Sequence, residues 1–195
     1  DKHTVERGIN VSQRERDQKG ITDACYAYGE LDHEIFAAMY LRVTSVFGER
    51  TNGTFYDLGC GVGTLVYAAA FIGDFNRVIG VENISALLER GEKRAGRWER
   101  FQSNYSEKIR NIIFDWIEDD FMQNGFWTDG TCILLHWTAF SNEQQRIVAS
   151  LLSSCQEGTY VISFTNPIPG EDFDILVQDT CVTSWGKADF FFQEK

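Results

Sequence analysis

Three glycines occupy alternate positions, Gly59, Gly61 and Gly63, after an apolar segment that ends at Leu58. A run of helix-forming residues begins directly after them, at Thr64. The pattern predicts a strand, a tight turn and a helix. Glycine allows the backbone to turn sharply and lets a ligand lie against the main chain, while the helix presents free N–H groups. The segment is therefore typical of the first half of a nucleotide-type binding unit.

The residues around this turn indicate which ligand it binds. A dinucleotide-binding turn has the spacing G-x-G-x-x-G/A, whereas Thr64 stands here where the third small residue is expected. Asp57 precedes the turn, and its carboxylate would repel a pyrophosphate but attract a cation. S-adenosylmethionine has no phosphate and carries both a sulfonium and an ammonium group. We therefore expect S-adenosylmethionine as the cofactor; the alternative is a glycine turn without a ligand.

Acidic and aromatic residues follow the next two predicted strands. Residues 77–82 read as a strand that ends in Glu82, whose carboxylate is placed to accept hydrogen bonds from both ribose hydroxyls. Residues 111–116 read as the third strand, and Asp120 and Phe121 follow it. An acid and an aromatic residue at this place suit the exocyclic amine and the ring of adenine; the alternative, which the residues alone favour, is an acidic loop.

The fourth predicted strand, residues 131–135, is almost entirely apolar, as a parallel strand covered on both faces should be. It delivers the segment 136–140, His-Trp-Thr-Ala-Phe, to the carboxyl edge of the sheet, where we expect the chemistry to occur. An aromatic wall is expected beside it, forming a narrow channel to the crevice; its members are Trp137, Phe140, Trp185 and Phe191.

The rest of the chain alternates between helices and strands. Helices are predicted at 31–47, 84–101 and from an N-cap at Ser141 to Leu152; strands are predicted at 54–58, 158–164, 175–183 and 188–193, in addition to those above. The last two strands form an antiparallel hairpin. The prediction is an α/β fold: a seven-stranded, Rossmann-like class I S-adenosylmethionine-dependent methyltransferase with a C-terminal antiparallel hairpin.

Length and charge set further limits. The 195 residues suit one catalytic domain at 21–195, preceded by a charged N-terminal arm at 1–20. A net charge of -11 argues against binding by phosphate neutralisation, so we expect weak direct contact with nucleic acid and a basic partner. No apolar run reaches the roughly 20 residues of a membrane span. The five cysteines form no metal-ligand or disulfide pattern, so no metal is expected.

Several short motifs occur in the order found in a known family. They are Tyr28-Gly29-Glu30, the run from Asp57 to Gly63, Gly80-Val81-Glu82, Asp120-Phe121, Ala139-Phe140 and Trp185-Gly186-Lys187. Through them the sequence resembles the disruptor-of-telomeric-silencing class of non-SET histone lysine methyltransferases, from about Tyr26 onwards. That resemblance implies methyl transfer to a lysine in the globular core of histone H3 within nucleosomes, in the nucleus.

The resemblance also implies a cofactor site. Its residues are Tyr28, Glu30, Asp57, Gly59, Gly61, Gly63, Thr64, Glu82, Asp120 and Phe121. Family members usually have glutamine where Thr64 stands, threonine where Leu31 stands, and two asparagines where His136 and Trp137 stand.

The catalytic set that we expect is His136, Trp137, Phe140 and Tyr28, with His136 in the positioning role that the first asparagine has in the family. Two other functions remain open at this stage. One is methyl transfer to another protein or a small molecule; the other is a non-catalytic S-adenosylmethionine-binding interaction module.

Overall fold

The computed structural model describes residues 2–101 and 104–195, so Asp1 of the predicted arm lies outside it. The strands are β1 (Gly53–Leu58), β2 (Phe75–Glu82), β3 (Ile113–Glu118), β4 (Cys132–Leu135), β5 (Tyr160–Phe164), β6 (Asp174–Thr183) and β7 (Gly186–Glu194). The helices are α1 (Lys2–Lys19), α2 (His33–Phe47), α3 (Thr64–Ile72), α4 (Ser85–Phe101), α5 (Glu107–Arg110) and α6 (Asn142–Leu152), with a 3₁₀ turn at Ala24–Tyr26. No helix of the described residues is long and apolar enough to cross a membrane.

The seven strands form one sheet in the order β3-β2-β1-β4-β5-β7-β6. All neighbouring pairs up to β5 are parallel, whereas β7 is antiparallel to both β5 and β6. The chain reverses its direction of progress across the sheet between β1 and β4, and a crevice opens at such a switch point outside the carboxyl ends of the strands. This confirms the predicted α/β fold with its C-terminal hairpin, and it places the glycine turn at the crevice.

Two apolar clusters cover the two faces of the sheet. Consecutive residues of β1 alternate between them: Phe55 lies in the cluster beneath α2 and α3, and Tyr56 lies in the cluster beneath α6. The first cluster also contains Phe36 and Phe192, and the second contains Trp127. Because the parallel strands are buried on both faces, they read as nearly continuous apolar runs in the sequence.

Most element ends follow local signals in the sequence. The predicted capping box of α6 is present, with Gln144 N donating to Ser141 Oγ and Ser141 N donating to the Gln144 side chain. The third strand begins two residues later than predicted. The reason is that Asn111 still belongs to the end of α5, where its N–H donates to the carbonyl of Glu107.

Residues 2–19 of the predicted arm form the helix α1, which packs against α4. Val11 lies against a small buried cluster that contains Val62, Ile84 and Leu87. The Glu15 carboxylate accepts the N–H groups of Ser85, at 3.0 Å, and of the following residue, at 2.8 Å. Glu15 therefore satisfies two free donors at the start of α4, as an N-cap residue would.

Candidate active site

The glycine turn lies between β1 and α3, and all three of its glycines have positive φ: 84° at Gly59, 55° at Gly61 and 73° at Gly63. The N–H groups of Gly59 and Cys60 both donate to the carbonyl of Val81 at 2.9 Å, which fixes the turn against β2. A Cβ at Gly59 would meet no atom within 4 Å. The open side of the turn thus offers the close approach to the main chain that a bound ligand needs.

Glu82 ends β2, as predicted, and it is buried. One carboxylate oxygen accepts the N–H of Gly61 and the other accepts the N–H of Ile84, each at 2.9 Å. Burial raises the pKa of the Glu82 carboxyl, although hydrogen bonds from the backbone oppose this effect. Glu82 therefore holds the glycine turn in place while it lines the larger cavity described below.

Asp57, the residue before Leu58 in β1, is a buried acid with an unpartnered oxygen. It is only 1 % exposed, and its Oδ1 has no hydrogen-bond partner among the described residues. Burial, and then the negative charge of Glu82, raises the pKa of Asp57 to about 8. A buried carboxylate without a partner favours a cation beside it. The position therefore fits the sulfonium and ammonium charges of S-adenosylmethionine.

The side chain of Tyr28 packs against the glycine turn. Its ring lies so near Gly8 and Gly61 that a Cβ on either would be 2.2 Å or 2.6 Å from a ring atom. The Tyr28 hydroxyl donates to the Glu30 carboxylate, and the pKa of Tyr28 is raised by burial and by this bond. Both residues line a small cavity of about 20 Å³ together with Asp57 and Thr64.

The hydroxyl of Thr64 accepts a hydrogen bond from a helix α4 side chain. Arg94 on α4 donates to Thr64 Oγ1 at 3.2 Å and to the carbonyl of Val62 at 3.3 Å. Gly63 precedes Thr64 as the left-handed N-cap of α3. The first turn of α3 is thereby fixed beside the small cavity.

A larger cavity of about 240 Å³ opens along the carboxyl edge of the sheet. Asp120 lines this cavity, and it accepts the N–H of Met122 at 3.0 Å and the hydroxyl of Tyr26 at 3.2 Å. The rings of Phe121 and Phe140 stack at a centroid distance of 6.0 Å. The structure therefore brings the predicted adenine-binding pair to one cavity with two members of the predicted aromatic wall, Phe140 and Trp185.

His136 lines both cavities. Its ring stacks on Phe164 at 4.9 Å with an interplanar angle of 2°, and it meets Trp185 edge-on at 6.0 Å. Burial lowers the pKa of His136 to about 4, so the imidazole is neutral at physiological pH. Its Nδ1 is buried and has no partner within the described part of the chain. A neutral ring nitrogen is thus left available at the junction of the two cavities.

The prediction that Trp137 and Phe191 form part of the channel wall is wrong. Trp137 is 0 % exposed, and its indole N–H donates to the carbonyl of Asn166 at 3.0 Å in the core beneath α6. Consecutive residues at the end of β4 point to opposite sides, so His136 faces the cavities and Trp137 faces the core. Phe191 is also buried, and in the described chain neither residue lines a cavity given above.

Asn83 is a cavity residue that the sequence interpretation missed. It directly follows Glu82 and lines the larger cavity, and its Oδ1 is buried without a partner among the residues described. Its position directly after the end of β2 is the signal in the sequence that indicates it. Thr138, in the segment after β4, also lines this cavity.

A family profile described as "Histone methylation protein DOT1" matches residues 13–180. No curated protein matches the chain significantly.

Three solved structures illustrate the likeness of the fold. Magnesium protoporphyrin IX methyltransferase (ChlM) from Synechocystis PCC 6803 with bound SAM has a TM-score of 0.63 at 14% identity, over 95% of this chain and 97% of that chain. N-methyltransferase NodS from Bradyrhizobium japonicum WM9 has a TM-score of 0.60 at 12% identity, over 83% of this chain and 95% of that one. The rRNA methyltransferase AviRa from Streptomyces viridochromogenes has a TM-score of 0.60 at 13% identity, over 86% of each chain. At these identities the likeness shows the fold alone.

Proposed function

Because the chain belongs to the DOT1 histone methylation family, we propose that it methylates the ε-amine of a lysine in the globular core of nucleosomal histone H3. The family and the fold together show that the protein is an S-adenosylmethionine-dependent methyltransferase. In this proposal the protein acts on a nucleosome and resides in the nucleus. The net charge of -11 supports a basic histone as the partner.

The observation that carries the proposal is the position of His136 between the two cavities. The smaller cavity is lined by the buried acid Asp57, whose carboxylate suits the positive charge of the cofactor. The larger cavity contains Glu82 and the aromatic residues Phe140 and Trp185. An amine that enters along these aromatic rings would therefore reach the boundary at His136, where a methyl group would be transferred.

The cofactor residues have distinct roles in this proposal. S-adenosylmethionine supplies the methyl group and a positive sulfonium. Asp57 faces that charge, Glu82 accepts from the ribose hydroxyls, and Asp120 with Phe121 holds the adenine. Tyr28 and Glu30 close the smaller cavity, beside Thr64. The backbone of Gly59, Gly61 and Gly63 leaves the space for close contact.

The acceptor amine must be neutral to react, whereas a free lysine has a pKa of about 10.4. A positive charge about 4 Å away, at an effective dielectric constant near 20, disfavours the ammonium by about 4 kcal/mol, or roughly 3 pKa units. Phe140 and Trp185 remove water from the amine and so favour the neutral form further. His136 is too weak a base to hold the proton, so its Nδ1 orients the amine by accepting an N–H.

The test is transfer of labelled methyl groups from S-adenosylmethionine to reconstituted nucleosomes, with free histones in parallel. Asp57→Asn removes the charge that faces the cofactor. The matched control is Asp74→Asn. Asp74 directly precedes the amino end of β2, away from the carboxyl ends of the strands, and forms a salt bridge with Lys108 at 2.8 Å.

We expect label on a core lysine of histone H3 in nucleosomes, strongly reduced by Asp57→Asn and retained by Asp74→Asn. Labelling of another amine while nucleosomes stay inert would overturn the histone assignment. A protein that binds the cofactor and labels no acceptor would overturn the catalytic assignment.

A further inference from the structure

The end of β5 and the turn after it touch the segment after β4 at three successive residues. We call residues 136–140 the acceptor loop. Phe164 stacks on His136 at 4.9 Å. The Thr165 hydroxyl donates to the Thr138 hydroxyl at 2.9 Å, and the carbonyl of Asn166 accepts the Trp137 indole N–H at 3.0 Å. Residues 164–166, at the end of β5 and just after it, thereby contact residues 136–138 of the acceptor loop.

Thr165 adopts an unusual backbone conformation. Its φ is 73°, in the left-handed region, where a β-branched side chain is strained. Its N–H donates to the carbonyl of Asp189 on β7 at 2.7 Å, which helps to hold this conformation. Across residues 2–101 and 104–195, the other non-glycine residue with positive φ is Asn52, at 54°, a residue type that tolerates this region.

Glycine would adopt the same φ at position 165 without strain, but it would lack the hydroxyl. That hydroxyl reaches Thr138, which lines the larger cavity between His136 and Phe140. Strained backbone conformations occur at functional sites where the surrounding contacts hold them in place. The contact made by the hydroxyl gives a reason for a threonine at this position.

We propose that Thr165 is a positioning residue that fixes the acceptor loop, and with it His136 and Phe140, through the hydrogen bond to Thr138. The kinetic part of this inference rests on the proposed function. The structural part, that Thr165 orders the loop, does not.

Three variants test the inference. Thr165→Gly relieves the strain and removes the hydroxyl, and Thr165→Ser keeps the hydroxyl. Asn52→Gly is the matched control, since it changes the other positive-φ residue at a turn before β1. For each variant we would measure amide hydrogen exchange, the thermal midpoint, the affinity for S-adenosylhomocysteine, and the KM and kcat for the labelled acceptor.

In Thr165→Gly we expect amides of residues 136–140 to exchange about threefold faster, which corresponds to the loss of one solvent-accessible hydrogen bond. We expect the acceptor KM to rise by a similar factor, with the midpoint not lowered and cofactor affinity unchanged. Thr165→Ser should restore exchange and KM, and Asn52→Gly should change neither.

The inference is overturned if Thr165→Gly leaves the exchange at 136–140 unchanged, or if Thr165→Ser behaves like Thr165→Gly. A lower midpoint with faster exchange throughout the chain would also overturn it, because Thr165 would then serve general stability. If the wild-type protein labels no acceptor, the exchange data still decide whether Thr165 orders the loop, and only the proposed function fails.

Discussion

The carboxylate of Glu82 accepts the backbone N–H of Gly61 at 2.9 Å, and so the acid that ends β2 holds the turn that follows β1. Its other oxygen accepts the N–H of Ile84 at the entrance to α4. An acid at this position is expected to bind ribose, yet here it also forms part of the framework. Substitution of Glu82 therefore tests the fold as well as ligand binding.

Glu82→Ala should lower the free energy of unfolding by about 2–3 kcal/mol in the absence of cofactor, because two buried N–H groups lose a charged acceptor. Glu82→Gln keeps one acceptor oxygen and should cost about half as much. Urea unfolding measures both. The control is Glu118→Ala. Glu118 lies opposite Glu82 in the register of β2 and β3, but its side chain is exposed. An equal loss in the control would contradict the special role of Glu82.

Asp57→Asn should stabilise the cofactor-free protein at pH 8. The folded-state pKa of Asp57 is raised to about 8, whereas the unfolded-state value is about 3.9, so the folded state binds the proton more tightly. The wild type therefore loses stability as the pH rises from about 4 to 8, by on the order of 5 kcal/mol at most. The variant should lack this loss. Urea unfolding at pH 5 and pH 8 checks the difference, and a variant less stable than the wild type at pH 8 would refute it.

His136→Asn should make the protein less sensitive to acid. The folded-state pKa of His136 is lowered to about 4 and the unfolded-state value is about 6.5, so protonation favours the unfolded state. Between pH 7 and pH 4.5 the wild type should lose about 2–3 kcal/mol from this residue, and the variant should not. His33→Asn at the exposed start of α2 serves as the control. The prediction fails if both variants follow the wild-type pH dependence.

Gly8→Ala should destabilise α1 although alanine is the better helix former. The added Cβ would lie 2.2 Å from the Tyr28 ring, which would have to move off Gly61. Gly96→Ala in α4 meets no atom within 4 Å and should stabilise by up to about 1 kcal/mol. Thermal midpoints distinguish the two, and binding of S-adenosylhomocysteine should weaken only in Gly8→Ala. Equal stabilisation by both substitutions would show that Tyr28 does not pack on α1 in solution.

Much of the fold could be predicted from the sequence because its signals are local. The glycine turn, the acid at the end of β2 and the capping box at Ser141 each depend on a few neighbouring residues. The docking of α1 could not be predicted in this way, since Glu15 and its partner Ser85 are 70 positions apart in the chain.

Trp137 shows a second limit of prediction from sequence. Because Trp137 follows β4, its side chain was expected to lie in the crevice. Which of two adjacent side chains faces the ligand, however, depends on where the strand ends. β4 ends at Leu135, which directs His136 toward the cavities and Trp137 into the core. The three contacts of residues 164–166 with residues 136–138 could not be predicted either. They join two segments that are distant in the sequence, and neither segment contains a motif that indicates the contact.

The strand order has a consequence for synthesis on the ribosome. β6 joins the sheet through β7, which lies between β5 and β6 although it is the later strand in the chain. While β6 has already left the exit tunnel and β7 has not, the nascent chain exposes a ten-residue strand whose pairing partner, β7, is not yet accessible. The edge of β5 that β7 will cover is open for the same interval. We therefore expect the last step of folding to wait until residues up to 194 have emerged, and the unfinished sheet to be most vulnerable to misassociation just before then.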